Sequence, residues 1–177
     1  MAEPGGRELA LALGELHGRL TEELTAYARL HKTGRTKRAH DALAGLRSKE
    51  VVTEAEALQL EAMLEAVRNV NITDPQIADE VSAAYQALQD ANAGDVALAL
   101  GSIAADSTRA EAERAVAEGR SDELGDGPIG RAAVEGALVG MEVGATLSVA
   151  TGDPSFIPLA TLAGAGAAAA AVLEALS

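Results

Sequence analysis

Apolar residues recur at steps of three or four through most of the first 119 positions of this 177-residue chain. That spacing places them on one face of an α-helix, whereas the strict alternation that marks a β-strand is nowhere sustained. The longest such face comprises Leu9, Leu13, Leu16, Leu20, Leu24 and Tyr27. The pattern predicts an all-α protein that begins with a bundle of about five helices.

Glycine and capping residues divide this part of the chain. Gly34 is expected to break the first helix, and a short second helix follows it. Asp95 is expected to cap a fifth helix that ends near Gly119.

Two Thr-x-x-Glu/Gln sequences indicate the starts of the third and fourth helices. In a capping box, the hydroxyl of Thr53 accepts a hydrogen bond from the backbone amide of Glu56, and the carboxylate of Glu56 accepts one from the amide of Thr53. Thr73 and Gln76 have the same spacing. Both predicted helices therefore begin with a local signal that does not depend on tertiary contacts.

The last 50 residues differ in character from the bundle. Two apolar segments rich in glycine and alanine, 131–150 and 156–176, are joined by a short turn. Small residues recur in them at strict four-residue spacing, which leaves a ridge along which another helix backbone can approach closely. This helix-packing ridge comprises Gly136, Gly140, Gly144, Ala160, Gly164 and Ala168.

The first of these segments also carries a polar stripe. At 100° per residue, Glu135, Glu142 and Thr146 fall together on the side opposite the glycines. One face of the predicted helix is therefore expected to pack and the other to require water.

These patterns predict three regions. A helical bundle is expected over 7–119, a Gly/Asp-rich linker over 120–130, and a glycine-zipper helical hairpin over 131–177.

The length of the hairpin segments raises the question of a membrane. About 20 residues at 1.5 Å per residue match the hydrocarbon thickness of a bilayer. However, a charged residue near the centre of a spanning helix costs roughly 2.5–3.5 kcal/mol, whereas an aliphatic residue contributes about 0.3–0.6 kcal/mol. Two glutamates therefore outweigh the six aliphatic residues of the first segment, and the hairpin is expected to be stable in lipid only if the stripe is protonated, faces a partner or lines a wet lumen.

Charge narrows the range of partners. There are 27 acidic and 14 basic residues, and a net charge of −13 argues against binding to nucleic acid, which requires neutralisation of phosphates. Half of the cations lie within 21 residues, in a basic patch that could bind an anionic membrane or an acidic partner, or neutralise acidic helices of the same bundle. The patch comprises Arg29, Lys32, Arg35, Lys37, Arg38, Arg47 and Lys49.

Signatures of catalysis or of metal binding are missing from the sequence. The chain has no cysteine, and His17, His31 and His40 do not have the spacing that places two metal ligands on one helical face. We therefore predict no catalytic, metal-binding or cofactor-binding residues, and a protein that is not an enzyme.

The tail resembles the glycine-zipper hairpins of membrane-associated bacterial proteins and, more loosely, the buried apolar hairpin of pore-forming colicin domains. The similarity rests on Gly136, Gly140 and Gly144, on the turn at 152–154, and on the alanine-rich second segment. It implies a closely packed hairpin and carries no binding residue over to this chain.

Two functions follow from these observations. The first is a non-enzymatic helical protein that associates with membrane or with copies of itself through the hairpin. The second is a wholly soluble helical scaffold, or a subunit of a larger protein assembly, in which the hairpin forms the core. The N-terminus lacks the pattern of a signal peptide, so the expected location is cytoplasmic or membrane-associated.

Overall fold

The computed structural model of the protein describes residues 4–30, 32–69, 72–120, 128–152 and 155–176. Within these ranges the chain forms seven α-helices and no strand, which confirms the all-α class. The helices are α1 (Pro4–Ala28), α2 (Lys32–Ser48), α3 (Glu54–Ala66), α4 (Asp74–Asp90), α5 (Asp95–Ala117), α6 (Pro128–Thr151) and α7 (Phe156–Leu176).

The capping box at the start of α3 is confirmed. The amide of Glu56 donates to the hydroxyl of Thr53 at 3.3 Å, and the amide of Thr53 donates to the carboxylate of Glu56 at 2.7 Å. The same carboxylate accepts from the amide of Gly94 at 2.6 Å, which ties α3 to the turn before α5. Burial alone raises the pKa of Glu56, but these backbone hydrogen bonds outweigh it and lower the pKa.

Two predicted boundaries are wrong. Gly34 lies inside the first turn of α2, and the first helix ends earlier, at Ala28. The missing side chain at Gly34 leaves room for Leu30, whose Cβ would lie 3.3 Å from a Cβ at that position. Asp95 is the first residue of α5, and the residue in the N-cap position is Gly94, with an extended backbone.

The core of the protein is built around α6. Every residue from Arg131 to Ala145 is buried except Glu142, which is half-buried. The helix packs against α1, α2, α3, α5 and α7. The predicted hairpin and the predicted bundle thus share one hydrophobic core, while most of the predicted linker at 120–130 lies outside the described residues.

The smallest residues of α6 lie against α7. A Cβ at Gly140 would overlap the carbonyl oxygen of Ala160, and one at Gly144 would lie 2.5 Å from the carbonyl oxygen of Phe156. From the other side, a Cβ at Gly164 would overlap the carbonyl oxygen of Gly136. The backbones of α6 and α7 are therefore in direct contact.

The last member of the predicted ridge is Ala168, and its side chain lies outside the described residues.

The close approach of α6 and α7 predicts an unusual response to alanine. Alanine normally stabilises a helix by about 1 kcal/mol relative to glycine, but Gly140→Ala should lower the free energy of unfolding by about 1–3 kcal/mol because the added methyl group forces the helices apart. Gly18→Ala is the matched control, since a Cβ at this exposed helical site meets nothing within 4 Å. Chemical denaturation of both variants measures the difference. Equal stabilisation by the two substitutions would mean that the glycines of α6 are not needed for packing.

Candidate functional site: a charged seam beside the C-terminal hairpin

Two carboxylates on α6 mark the most polar part of the interior. Glu135 and Glu142 are separated by two helical turns and therefore share one face of the helix. Side chains from α1 and α2 meet them there. We call this cluster the charged seam; it comprises Tyr27, Thr36, Arg38, Lys49, Arg131, Glu135 and Glu142.

The carboxylate of Glu135 is buried and has three polar neighbours. Only 1% of the residue is exposed. The hydroxyl of Tyr27 donates to one carboxylate oxygen at 2.7 Å, and the hydroxyl of Thr36 donates to the other at 3.2 Å. The guanidinium of Arg131, one turn earlier on α6, lies 3.6 Å from that second oxygen. A buried charge requires such partners, since an isolated one is far too costly to desolvate.

Tyr27 is strongly perturbed by this environment. Burial raises the pKa of its hydroxyl well above the ordinary tyrosine range, and the neighbouring Glu135 carboxylate raises it further. The cations of Arg35 and Arg131 act in the opposite direction but do not cancel these effects. Tyr27 therefore serves as a hydrogen-bond donor that stays protonated.

The second carboxylate joins α6 to α2. The guanidinium of Arg38 lies 2.7 Å from one oxygen of Glu142, and the ammonium of Lys49 lies 3.8 Å from the other. Gly45 makes this approach sterically allowed, because a Cβ there would come within 2.6 Å of the carboxylate. The bare backbone of α2 thus provides the space in which Glu142 lies.

Arg38 also reaches α1, where its guanidinium donates to Glu23 at 3.1 Å. Burial lowers the pKa of Arg38, but the two carboxylates of Glu142 and Glu23 more than offset this effect and leave the pKa raised. A permanently charged Arg38 holds α1, α2 and α6 together.

The other cations of the predicted basic patch lie apart from the seam or at its edge. Arg35 is half-buried, and its Nε atom is buried without a hydrogen-bond partner. Arg29 is exposed, and the side chain of Lys32 lies outside the described residues.

Two members of the patch form surface ion pairs. The ammonium of Lys37 lies 2.7 Å from Asp41, and the guanidinium of Arg47 lies 3.1 Å from Glu54. Exposed pairs of this kind contribute about 1 kcal/mol or less. Among the described side chains of the patch, Arg47 is the one that pairs with an acidic residue of α3.

The polar stripe of α6 therefore has a different environment from the one its pattern indicates. Thr146 is exposed, and its hydroxyl donates to the carbonyl of Glu142. The two glutamates face α1 and α2 and not open water, because donors and cations on those helices replace the solvent.

Sequence reasoning missed four contributors to the seam. Tyr27 belongs to the predicted apolar face of the first helix, and Thr36, Gly45 and Arg131 were not singled out. Gly45 offered one signal, since a glycine inside a helix with no turn to make costs stability and usually has a packing reason.

The outward face of α7 is the second notable feature. Leu159 is 49% exposed and Leu162 is 62% exposed, and the smaller residues Ala163 and Gly166 beside them are exposed too. The second segment of the hairpin therefore has an apolar surface in the structure.

Two further features of the described residues concern metal ions and clefts. No group of three His, Asp or Glu side chains there is placed to hold a metal ion. A cleft of about 250 Å³ between α1 and α6 is lined by Arg19, Glu22, Glu23, Val143 and Thr146.

One stretch of the described chain, Arg131–Thr151, is long and apolar enough to cross a membrane, with a mean hydropathy of 1.3. Within the fold, 78% of it is buried. The same length and composition fit the core helix of a soluble protein.

Comparisons of this chain with protein-family models, with curated proteins and with solved structures find no match.

The seam predicts different costs for two neighbouring cations. Arg38→Gln should lower the free energy of unfolding by about 1–3 kcal/mol, because it leaves the half-buried carboxylate of Glu142 without its closest partner. Lys37→Gln removes the same charge one residue earlier, from a side chain that is 77% exposed, and should change stability by less than about 1 kcal/mol. Urea denaturation measures the free energy of unfolding of the two variants. Similar losses in both would mean that the charged seam does not contribute to stability.

Tyr27→Phe should destabilise the protein by about 1–3 kcal/mol near neutral pH, because a buried oxygen of Glu135 loses its donor. The effect should shrink above about pH 10, where the unfolded tyrosine releases its proton and the folded one does not. The raised pKa stabilises the wild type below that pH, and the contribution is lost as the pH rises.

Urea denaturation between about pH 8 and pH 11 measures this convergence of variant and wild type. Tyr85→Phe, at a half-buried tyrosine outside the seam, is the control. Parallel curves for wild type and Tyr27→Phe would contradict the assigned role of Tyr27.

Proposed function

We propose that this protein is a non-enzymatic helical subunit of a protein assembly, whose C-terminal hairpin closes through a glycine zipper and forms the core of a soluble fold. The observation that carries the proposal is the burial of α6 from Arg131 to Ala145, with both of its glutamates held by groups of the same chain. A helix in this position has partners for its apolar and its polar face without lipid.

The pairing of charges supports the proposal. Transfer of α6 into a bilayer would separate Glu142 from Arg38 and Glu135 from Tyr27 and Thr36. Each carboxylate would then have to be neutralised or would cost roughly 2.5–3.5 kcal/mol near the bilayer centre. The folded arrangement avoids this cost.

The use of the basic patch supports it as well. Arg38 and Lys49 are engaged with Glu142, and Lys37 and Arg47 are engaged with carboxylates on the surface. A chain with a net charge of −13 and cations so engaged is expected to be repelled by an anionic membrane.

Membrane association through the hairpin is a second candidate. It is favoured by the length and hydropathy of Arg131–Thr151 and by the exposed leucines of α7. In this case α7 would touch lipid first, and α6 would have to leave the seam before it could follow.

Flotation with lipid vesicles separates the two candidates. Full-length protein without detergent should remain in the dense fraction at pH 7 with neutral vesicles and with anionic vesicles, because α6 stays buried and the net charge opposes adsorption. The Leu159→Gln, Leu162→Gln double variant is the control, since it removes the exposed leucines without touching the core. If the wild type floats with vesicles and the double variant does not, the second candidate replaces the proposal.

A further inference from the structure

The outward face of α7 carries no charge up to residue 166, the last position at which the exposure of its side chains is described. From residue 155 to residue 166 the only polar side chains are those of Ser155 and Thr161. Thr161 is buried, and its hydroxyl donates to the carbonyl of Ile157 at 2.8 Å. An uncharged surface of this kind stands out in a protein with a net charge of −13, because other surfaces must carry the excess of carboxylates.

The exposed residues of this face form one stripe with a gradient of size. Pro158 begins the stripe; after it, Leu159, Leu162, Ala163 and Gly166 follow one another at steps of three, one and three, so that they lie on one side of the helix. The two large residues come first and the two small ones come last. A Cβ at Gly166 would meet nothing within 4 Å, so this end of the stripe is open.

We propose that a second copy of this chain covers this face, with the two α7 helices antiparallel about a two-fold axis. Such an axis between positions 162 and 163 places Leu159 against the partner's Gly166 and Leu162 against the partner's Ala163. Each large side chain then meets a small one, and the interface is self-complementary, as an isologous contact requires.

The absence of charge on this face is compatible with the same occupant, a second copy of the chain. Both surfaces of the pair are uncharged, so carboxylates of either copy need not be buried when the two α7 helices meet. A lipid surface has no side chains to match the order of large and small residues. A second copy matches this order where Leu159 and Leu162 each meet a small residue.

The size of the stripe determines the strength of pairing. Nine residues of helix, 158–166, are about 14 Å long at 1.5 Å per residue, and a helix is about 10 Å wide. The resulting area is on the order of 140 Å² per copy, well below the roughly 800 Å² per partner of a standard stable interface. The pairing is therefore weak and takes the form of a monomer–dimer equilibrium that depends on concentration.

This inference rests on the proposed function, because it requires a soluble fold in which α7 keeps its outward face exposed. Sedimentation velocity over a series of protein concentrations tests it without lipid. The wild type should shift from monomer to dimer as concentration rises. A wild type that stays monomeric up to millimolar concentration and does not float with vesicles would overturn the inference and leave the proposed function intact, whereas a wild type that floats overturns the proposed function.

A size swap tests the antiparallel arrangement. Gly166→Leu should weaken dimerisation at least tenfold, because the new side chain meets the partner's Leu159. It should leave the monomer folded, because that position opens to free space. The Leu159→Ala, Gly166→Leu double variant restores one large and one small residue at each contact and should recover most of the association. Stronger association of Gly166→Leu would overturn the pairing, since that result is expected of a general apolar surface.

Cross-linking provides a second readout on an otherwise cysteine-free chain. Oxidation of the Leu159→Cys, Gly166→Cys double variant should link two copies, because the axis brings these positions together. Each single cysteine variant should stay unlinked under the same conditions. Efficient linking of Leu159→Cys alone indicates parallel helices and overturns the proposed axis.

Discussion

The direct contact between the backbones of α6 and α7 is the constraint on which the rest of the structure depends. Gly140, Gly144 and Gly164 leave no side chain between the two helices, so α7 occupies the glycine side of α6 completely. The glutamates lie on the other side of α6, and only helices that bring donors and cations can cover them. α1 and α2 therefore cover the glutamate side of α6, and α1 extends from there onto α7.

The charged seam follows from this division. Buried carboxylates are tolerated when hydrogen bonds and opposite charges replace the water that they lose. Tyr27 and Thr36 meet this need at Glu135, and Arg38 meets it at Glu142. The same interactions connect α1, α2 and α6. In addition, α1 is joined to the core through apolar contacts such as those of Leu16 and Leu20.

The two helices of the hairpin consequently have different relations to solvent. α6 is enclosed, whereas α7 buries one side against α6 and α1 and turns leucines outward on the other. An apolar outward side is a common mark of an interaction surface in a soluble protein. The hairpin thus contributes its buried helix α6 to the core, and the proposed association would use the outer side of α7.

Local features of the sequence were sufficient for the helical class, for the capping box at Thr53 and for the four-residue spacing of the small residues, because each depends on residues within one or two turns. The partners of those features were decided by the tertiary structure. Tyr27 meets Glu135 across 108 positions, and Thr36 meets it across 99, so helical periodicity in either segment could not pair them. The stripe of glutamates looked water-facing because periodicity separates polar from apolar sides but does not distinguish water from a basic helix. The exposure of Leu159 and Leu162 has the same origin: a nearly apolar helix has no sequence signal for which side it turns outward, and its packing against α6, α1 and α5 makes that choice.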